Sequence, residues 1–187
     1  MCRAGPRGAK ACKSSFHRTT QQSADPCRNG IGLRTSRRLS SERHTLGEMK
    51  AVTLSQEQYR DAVSLWEATG LTRPWNDPMA DLRRAIDGNS STVLGCSLDD
   101  DLAATAMVGH DGHRGWVYYL AVAPHQQGNG LGRMMMTACE QWLIERGAVK
   151  VHLMIRTTNE PVIGFYEELG YELSDVQVRA KWLTTEQ

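Results

Sequence analysis

The stretch whose residue types and spacing best suit chemistry is Gln127-Gly128-Asn129-Gly130-Leu131-Gly132-Arg133. Its glycines stand at alternate positions, after the apolar run Leu120-Ala121-Val122-Ala123-Pro124 and at the opening of a long amphipathic segment. Glycine lets a backbone pass close to a ligand. The first turn of a helix exposes unpaired N–H groups at the positive end of its dipole, and an anion, phosphate above all, fits there. Successive N–H groups aimed into one concavity would cradle a pyrophosphate. Two common phosphate-binding patterns do not match. Gly132 is followed by Arg133-Met134, so the G-K-[ST] of nucleoside triphosphatases is absent. The dinucleotide pattern G-x-G-x-x-G, counted from Gly128, fails at Arg133.

The loop needs a strand before it and a helix after it, and the periodicity supplies both. Residues 50–54 read as a first strand. Ser55 with Gln58 three positions on forms a capping box, and Tyr59, Ala62, Val63 and Trp66 mark one helical face. Asp77-Pro78 opens a second helix whose stripe is Met79, Leu82 and Ile86. The period then changes: 92–98, 102–109 and 116–122 read as strands joined by short polar turns, an antiparallel meander. A helix over 131–146, a strand over 149–155, a helix over 160–169 and a closing strand over 171–183 complete the chain. The expected fold is α/β with a mixed sheet, in the order β-α-α-β-β-β-α-β-α-β. The sheet is mostly antiparallel, with a parallel pair where a right-handed crossover joins the strand before the glycine loop to the strand after its helix.

Composition sets the bounds. The 187 residues are 40% hydrophobic with net charge +1, which describes a globular chain. No apolar run approaches the ~20 residues of a membrane span, so no membrane association is expected. Residues 1–48 carry ten Lys or Arg against three Asp or Glu, and the remainder is correspondingly acidic. This first segment has too few large apolar residues to offset its ordering entropy. It reads as a disordered basic extension, either a translated upstream region before Met49 or a targeting segment. Nucleic-acid binding by it ranks last, because no aromatics interleave its basic residues. The domain proper is 49–187. Five cysteines without a C-x-x-C indicate neither a disulfide framework nor a metal site, and a cytoplasmic setting is simplest.

Gln127-Gly128-Asn129-Gly130-Leu131-Gly132 resembles the [QR]-x-x-G-x-[GA] coenzyme A signature of the GNAT superfamily of N-acetyltransferases. Leu-Ala-Val-x-Pro before it resembles the family's usual strand end. Downstream, Asn159 and Phe165-Tyr166-Glu167-Glu168-Leu169-Gly170-Tyr171 resemble a second family segment, and the order of elements over 49–187 is similar too. Trp75-Asn76-Asp77-Pro78 and the turn around His113 resemble segments of a subgroup of small bacterial members.

The resemblance implies an acetyl-CoA-dependent N-acetyltransferase that needs no metal and acetylates a primary amine of a small molecule or peptide by direct attack on the thioester. The pyrophosphate would lie on the backbone of Gln127, Gly128, Asn129, Gly130, Leu131, Gly132 and Arg133. Leu120, Ala121 and Val122 would hold the pantetheine arm by strand-like hydrogen bonds. Asn159 would touch the coenzyme, and Tyr166 would protonate the leaving thiolate. Arg73, Trp75, His113 and Tyr119 are candidates for the acceptor cleft. Many relatives carry a Glu at the place of Met154, so the base is open among water, Asp111, His113, Tyr119 and His152. That departure keeps a second reading, a noncatalytic acyl-CoA sensor, in play. Homodimers through the last strand are common among similar proteins.

Overall fold

The computed structural model describes residues 49–183. Residues 1–48, expected to be a disordered extension, lie outside the described residues, as do 184–187. One sheet runs in chain order through β1 (Val52–Thr53), β2 (Ser91–Leu98), β3 (Asp101–His110), β4 (Gly115–Val122) and β5 (Val151–Leu153). All neighbours are antiparallel except β4 and β5, which are parallel. Among the described residues four α-helices flank it: α1 (Tyr59–Ala68), α2 (Pro78–Asp87), α3 (Leu131–Ile144) and α4 (Glu160–Glu168).

Local chemistry explains the helix starts. Asp77 Oδ1 accepts the N–H groups of Met79 and Ala80 at 2.9 and 3.0 Å, with Pro78 at the first helical position. The Gln58 side chain accepts the Ser55 N–H at 3.1 Å, the reciprocal half of the expected capping box. Side chains then divide between two cores, because successive strand residues point to opposite faces. Leu94, Val108, Val117, Met135, Cys139 and Leu143 fill the face under α3 and α4. Leu54, Leu65, Trp66, Leu82, Val93 and Ala121 fill the face under α1 and α2. Trp66 is fully buried there, and its indole N–H donates to Thr105 Oγ1 at 2.8 Å. Burying so large a ring with its one polar atom satisfied stabilises by about 3 kcal/mol and fixes α1 on the sheet.

The alternation breaks twice, once in β3, where Ala103 is an extra residue between the Cys96↔Ala104 and Ser97↔Leu102 pairs, and once in β4. Thr105 pairs with Ala121 and Met107 with Tyr118, so Ala106 alone opposes both Tyr119 and Leu120. This is a β-bulge, and Tyr119 adopts φ +50° within it. An aromatic residue there stores roughly 1–3 kcal/mol of strain. The consequence is that Tyr118 and Tyr119, consecutive in sequence, both line the cavity beneath α2. Beyond the bulge, Leu120 and Val122 pack towards α3 and α4, and Ala121 and Ala123 towards α1 and α2.

The closing strand expected over 171–183 does not form. Tyr171 is the last well-anchored residue: its hydroxyl donates to Glu140 Oε1 at 2.7 Å and its N–H to the carbonyl of Tyr166. After it the backbone is irregular, and Leu173, Val176 and Val178 are exposed. Two causes are visible. Ser174-Asp175 bends the chain, with the Val176 N–H folded back onto the Ser174 carbonyl at 2.9 Å. β5, the edge such a strand would pair with, is only three residues long.

The buried helix face makes stability sensitive to alkali. Burial pushes the Cys139 thiol from its ordinary 9.0 up to about 12, and the Tyr166 phenol from 10.0 up to about 12. Both groups stay protonated in the folded chain after the unfolded chain has lost those protons. Their contribution is therefore complete below pH 9 and is lost as pH rises towards 12. Thermal melts should be flat from pH 7 to 9 and then fall by about 10 °C towards pH 11. Cys139→Ala should flatten the first part of that fall; scanning calorimetry across the range checks both.

Candidate active site

β4 and β5 pair only at Gly115↔Val151, Trp116↔His152 and Val117↔Leu153. Past Val117 the two strands part, and the β5-facing edge of β4 over 118–122 is open to a ligand. A strand edge of that kind can hold an extended molecule by main-chain hydrogen bonds. This opening leads straight into the glycine loop. Gln127 donates its side-chain amide to the Val122 carbonyl at 3.2 Å and so ties the loop back to the strand end.

Within the loop, Gly128 and Gly130 adopt φ +78° and +82°, a conformation that favours glycine. Nothing lies within 4 Å of where a Gly128 Cβ would be. Gly130 is the N-cap of α3, so the N–H groups of Leu131, Gly132 and Arg133 form a first turn without intrahelical partners. Leu131 itself is a core side chain and contributes backbone only. A Cβ on Gly132 would meet Phe165 of α4 at 3.1 Å. That glycine therefore lets α3 and α4 approach closely. These features fit a pyrophosphate carried on an extended arm: left-handed glycines, free N–H groups and an open strand edge in one line.

α4 brings the second motif to the same region. Asn159 caps it through its main-chain carbonyl, which accepts from Val162 and Ile163, and its side chain is exposed. Tyr166 is 8% exposed and sits edge-on between Phe165 and Tyr171, with ring centroids 5.0 and 5.5 Å away.

On the opposite face, α2, the loop before it and strands β2 to β4 line an open-mouthed cavity of about 370 Å³. Tyr119 stacks on Trp66 with ring centroids 4.2 Å apart, and its hydroxyl donates to Asp81 Oδ2 at 3.0 Å. Arg84 donates to Asp81 Oδ1 at 2.8 Å. Burial, with Asp81 adding to it, holds the Tyr119 phenol above its ordinary value. Asp81, Arg84 and Tyr118 carried no motif in the sequence. Asp81 looks there like an ordinary first-turn helix residue, and its contact with Tyr119 spans 38 positions.

Of the other acceptor-cleft candidates, Arg73 lies close enough for its charge to be felt at Tyr119, and the rest lie further off. Arg73 donates to the carbonyls of Gly70 and Thr72 in its own loop, and Trp75 is 53% exposed. Asn76 of the same loop does line the cavity. His113 lies in the β3–β4 turn, at the end of β4 remote from the glycine loop. Beside it, Asp111 accepts from the N–H groups of Arg114 and His113 and from the Trp116 indole. Those three donors hold its carboxyl well below the usual range, and they commit it to the turn. His152 pairs edge-on with Trp116, and Met154, just past β5, is exposed.

Comparison with known proteins gives consistent results. The profile described as the acetyltransferase (GNAT) family matches residues 57–171. An acetyltransferase of Pectobacterium atrosepticum is 40% identical over 120 residues, 64% of this chain and 85% of that protein. Among solved structures, AAC(6')-Iy in complex with the bisubstrate analogue CoA-S-monomethyl-acetylneamine superposes with TM-score 0.63 at 12% identity, over 73% of this chain and 99% of that one. A predicted acetyltransferase of Clostridium acetobutylicum, solved with acetyl-CoA, gives TM-score 0.59 at 17% identity, over 71% and 96%.

Proposed function

The chain belongs to the acetyltransferase (GNAT) family, and from that premise we propose that it transfers the acetyl group of acetyl-CoA to a primary amine of a small molecule. The observation that carries this reading is the parting of β4 from β5 directly above the glycine loop. Acetyl-CoA supplies the acyl group as a reactive thioester. The main-chain N–H groups of 127–133 hold its pyrophosphate, the open edge at Leu120, Ala121 and Val122 aligns its arm, and Asn159 contacts it from α4. That solved neighbours of this fold carry a CoA analogue and acetyl-CoA supports the choice of acetyl-CoA as the acyl donor.

The chemistry then follows. The neutral amine nitrogen bonds to the acyl carbon and gives up a proton to water. The carbon–sulfur bond breaks, and the sulfur takes the phenolic proton of Tyr166, which is restored from solvent. A phenol is already protonated at neutral pH, as a general acid requires, and burial pushes that of Tyr166 further up, to about 12. Holding the two reactants in register supplies much of the rate. A 370 Å³ cavity on the acceptor side is of small-molecule size.

Thiol release from acetyl-CoA by the full chain tests the reading. Release should rise at least about tenfold when a primary amine is added, and the acetylated amine should appear by mass spectrometry. Coenzyme binding without amine-dependent release would leave only the acyl-CoA sensor.

A further inference from the structure

We propose that the cavity between α2 and the bulged part of β4 selects a di- or polyamine, with Asp81 binding an ammonium distal to the amine that reacts. This rests on the acetyltransferase reading above and names its substrate class. Among the described residues Asp81 is the one carboxylate that lines the cavity. Each of its oxygens already accepts one hydrogen bond, from Arg84 at 2.8 Å and from Tyr119 at 3.0 Å. A carboxylate offers about four acceptor positions, so two remain for a ligand.

The carboxylate is also held still. Tyr119 donates its single hydroxyl proton to Asp81, and the ring cannot swing away because it is stacked on the buried Trp66. The competing cations are weak rivals. The Arg84 side chain is 75% exposed against 23% for Asp81, and exposed pairs of this spacing hold loosely. Arg73, whose charge is felt at Tyr119, has both of its hydrogen bonds on loop carbonyls and none on Asp81. The rings of Tyr118 and Tyr119 and the side chain of Met107 give an apolar wall, and aromatic faces attract cations.

Asp81 cannot hold the reacting nitrogen at the moment of attack. That nitrogen must be neutral, whereas an ionised carboxylate selects a charged donor. In the reading above the coenzyme arm runs along the open edge of β4, and Asp81 sits across the Tyr119 side chain from that strand. The acceptor therefore carries a second, persistent positive charge at about the reach of a tyrosine, which a five-carbon spacer matches.

Three probes of equal length and different distal charge test this on the full chain: 1,5-diaminopentane, 5-amino-1-pentanol and 5-aminopentanoate. Wild-type kcat/KM should fall in that order, with the diamine at least about tenfold above the amino alcohol. Asp81→Asn keeps an oxygen for Tyr119 and removes the charge. It should raise KM for the diamine about 10- to 100-fold and collapse the spread among the probes, with acetyl-CoA affinity within about twofold of wild type. Equal use of the three by the wild type overturns the proposal. So does preference for the carboxylate, or a spread that survives in Asp81→Asn. Bound acetyl-CoA with transfer to none of the three, nor to any other primary amine, overturns the acetyltransferase reading itself.

Discussion

Replacing Tyr166 with Phe is expected to lower kcat about 10²- to 10⁴-fold and to leave acetyl-CoA affinity almost unchanged. The substitution removes one oxygen and keeps the ring. Edge-on contacts with Phe165 and Tyr171 survive, as does the hydrophobic cluster beneath α3. Stability should therefore stay within about 1 kcal/mol of wild type. A loss confined to kcat identifies the phenol as a proton donor, because packing alone does not distinguish Tyr from Phe. Steady-state thiol release, calorimetric titration with acetyl-CoA and a thermal melt separate these effects. Unchanged kcat in the variant would reduce Tyr166 to a core aromatic and assign the leaving proton to solvent.

The second large effect is expected at Gly130. Its φ of +82° suits glycine, and the residue caps the N-terminus of α3. Gly130→Glu forces a side chain into that conformation and brings a carboxylate to the free N–H groups of the first turn. The carboxylate competes for the N–H groups and repels phosphate. Acetyl-CoA affinity should fall more than about 100-fold, since the site's charge-assisted hydrogen bonds are lost together. The left-handed strain costs about 1–2 kcal/mol, a modest drop in melting temperature. Titration of both proteins with acetyl-CoA, beside their melts, checks it. Wild-type affinity in the folded variant would remove the glycine loop from the coenzyme site.

Legibility in the sequence followed the range of the interactions. Features set by neighbours a few positions apart were readable. Asp77-Pro78 announces α2 because the cap is satisfied two and three residues on. The glycine loop announces its left-handed turns because few other residues tolerate them. The four helices and the meander fell within a few residues of expectation. Features set by distant partners were not readable. Nothing near Tyr119 marks a bulge; it exists through the β3–β4 register and the packing of Tyr119 on Trp66. Asp81 became a candidate site residue only once α2 lay over β4. The 171–183 segment misled in the other direction. Its alternating Val176 and Val178 carry strand chemistry, but a strand needs a partner edge longer than the three residues of β5.

The extra residue in β4 changes how that strand must be engineered. It acts as a slip of phase by half a pleat. Below it, even positions such as 118 point to the acceptor cavity and odd positions such as 117 to the helix pair behind. Above it the parity reverses: 119 and 121 serve the α1–α2 side, 120 and 122 the other. A library meant to reshape acceptor choice should therefore randomise even numbers below the slip and odd numbers above it. Deleting Tyr119 would restore a regular strand, leave every later side chain on its present side, and remove the hydroxyl that donates to Asp81.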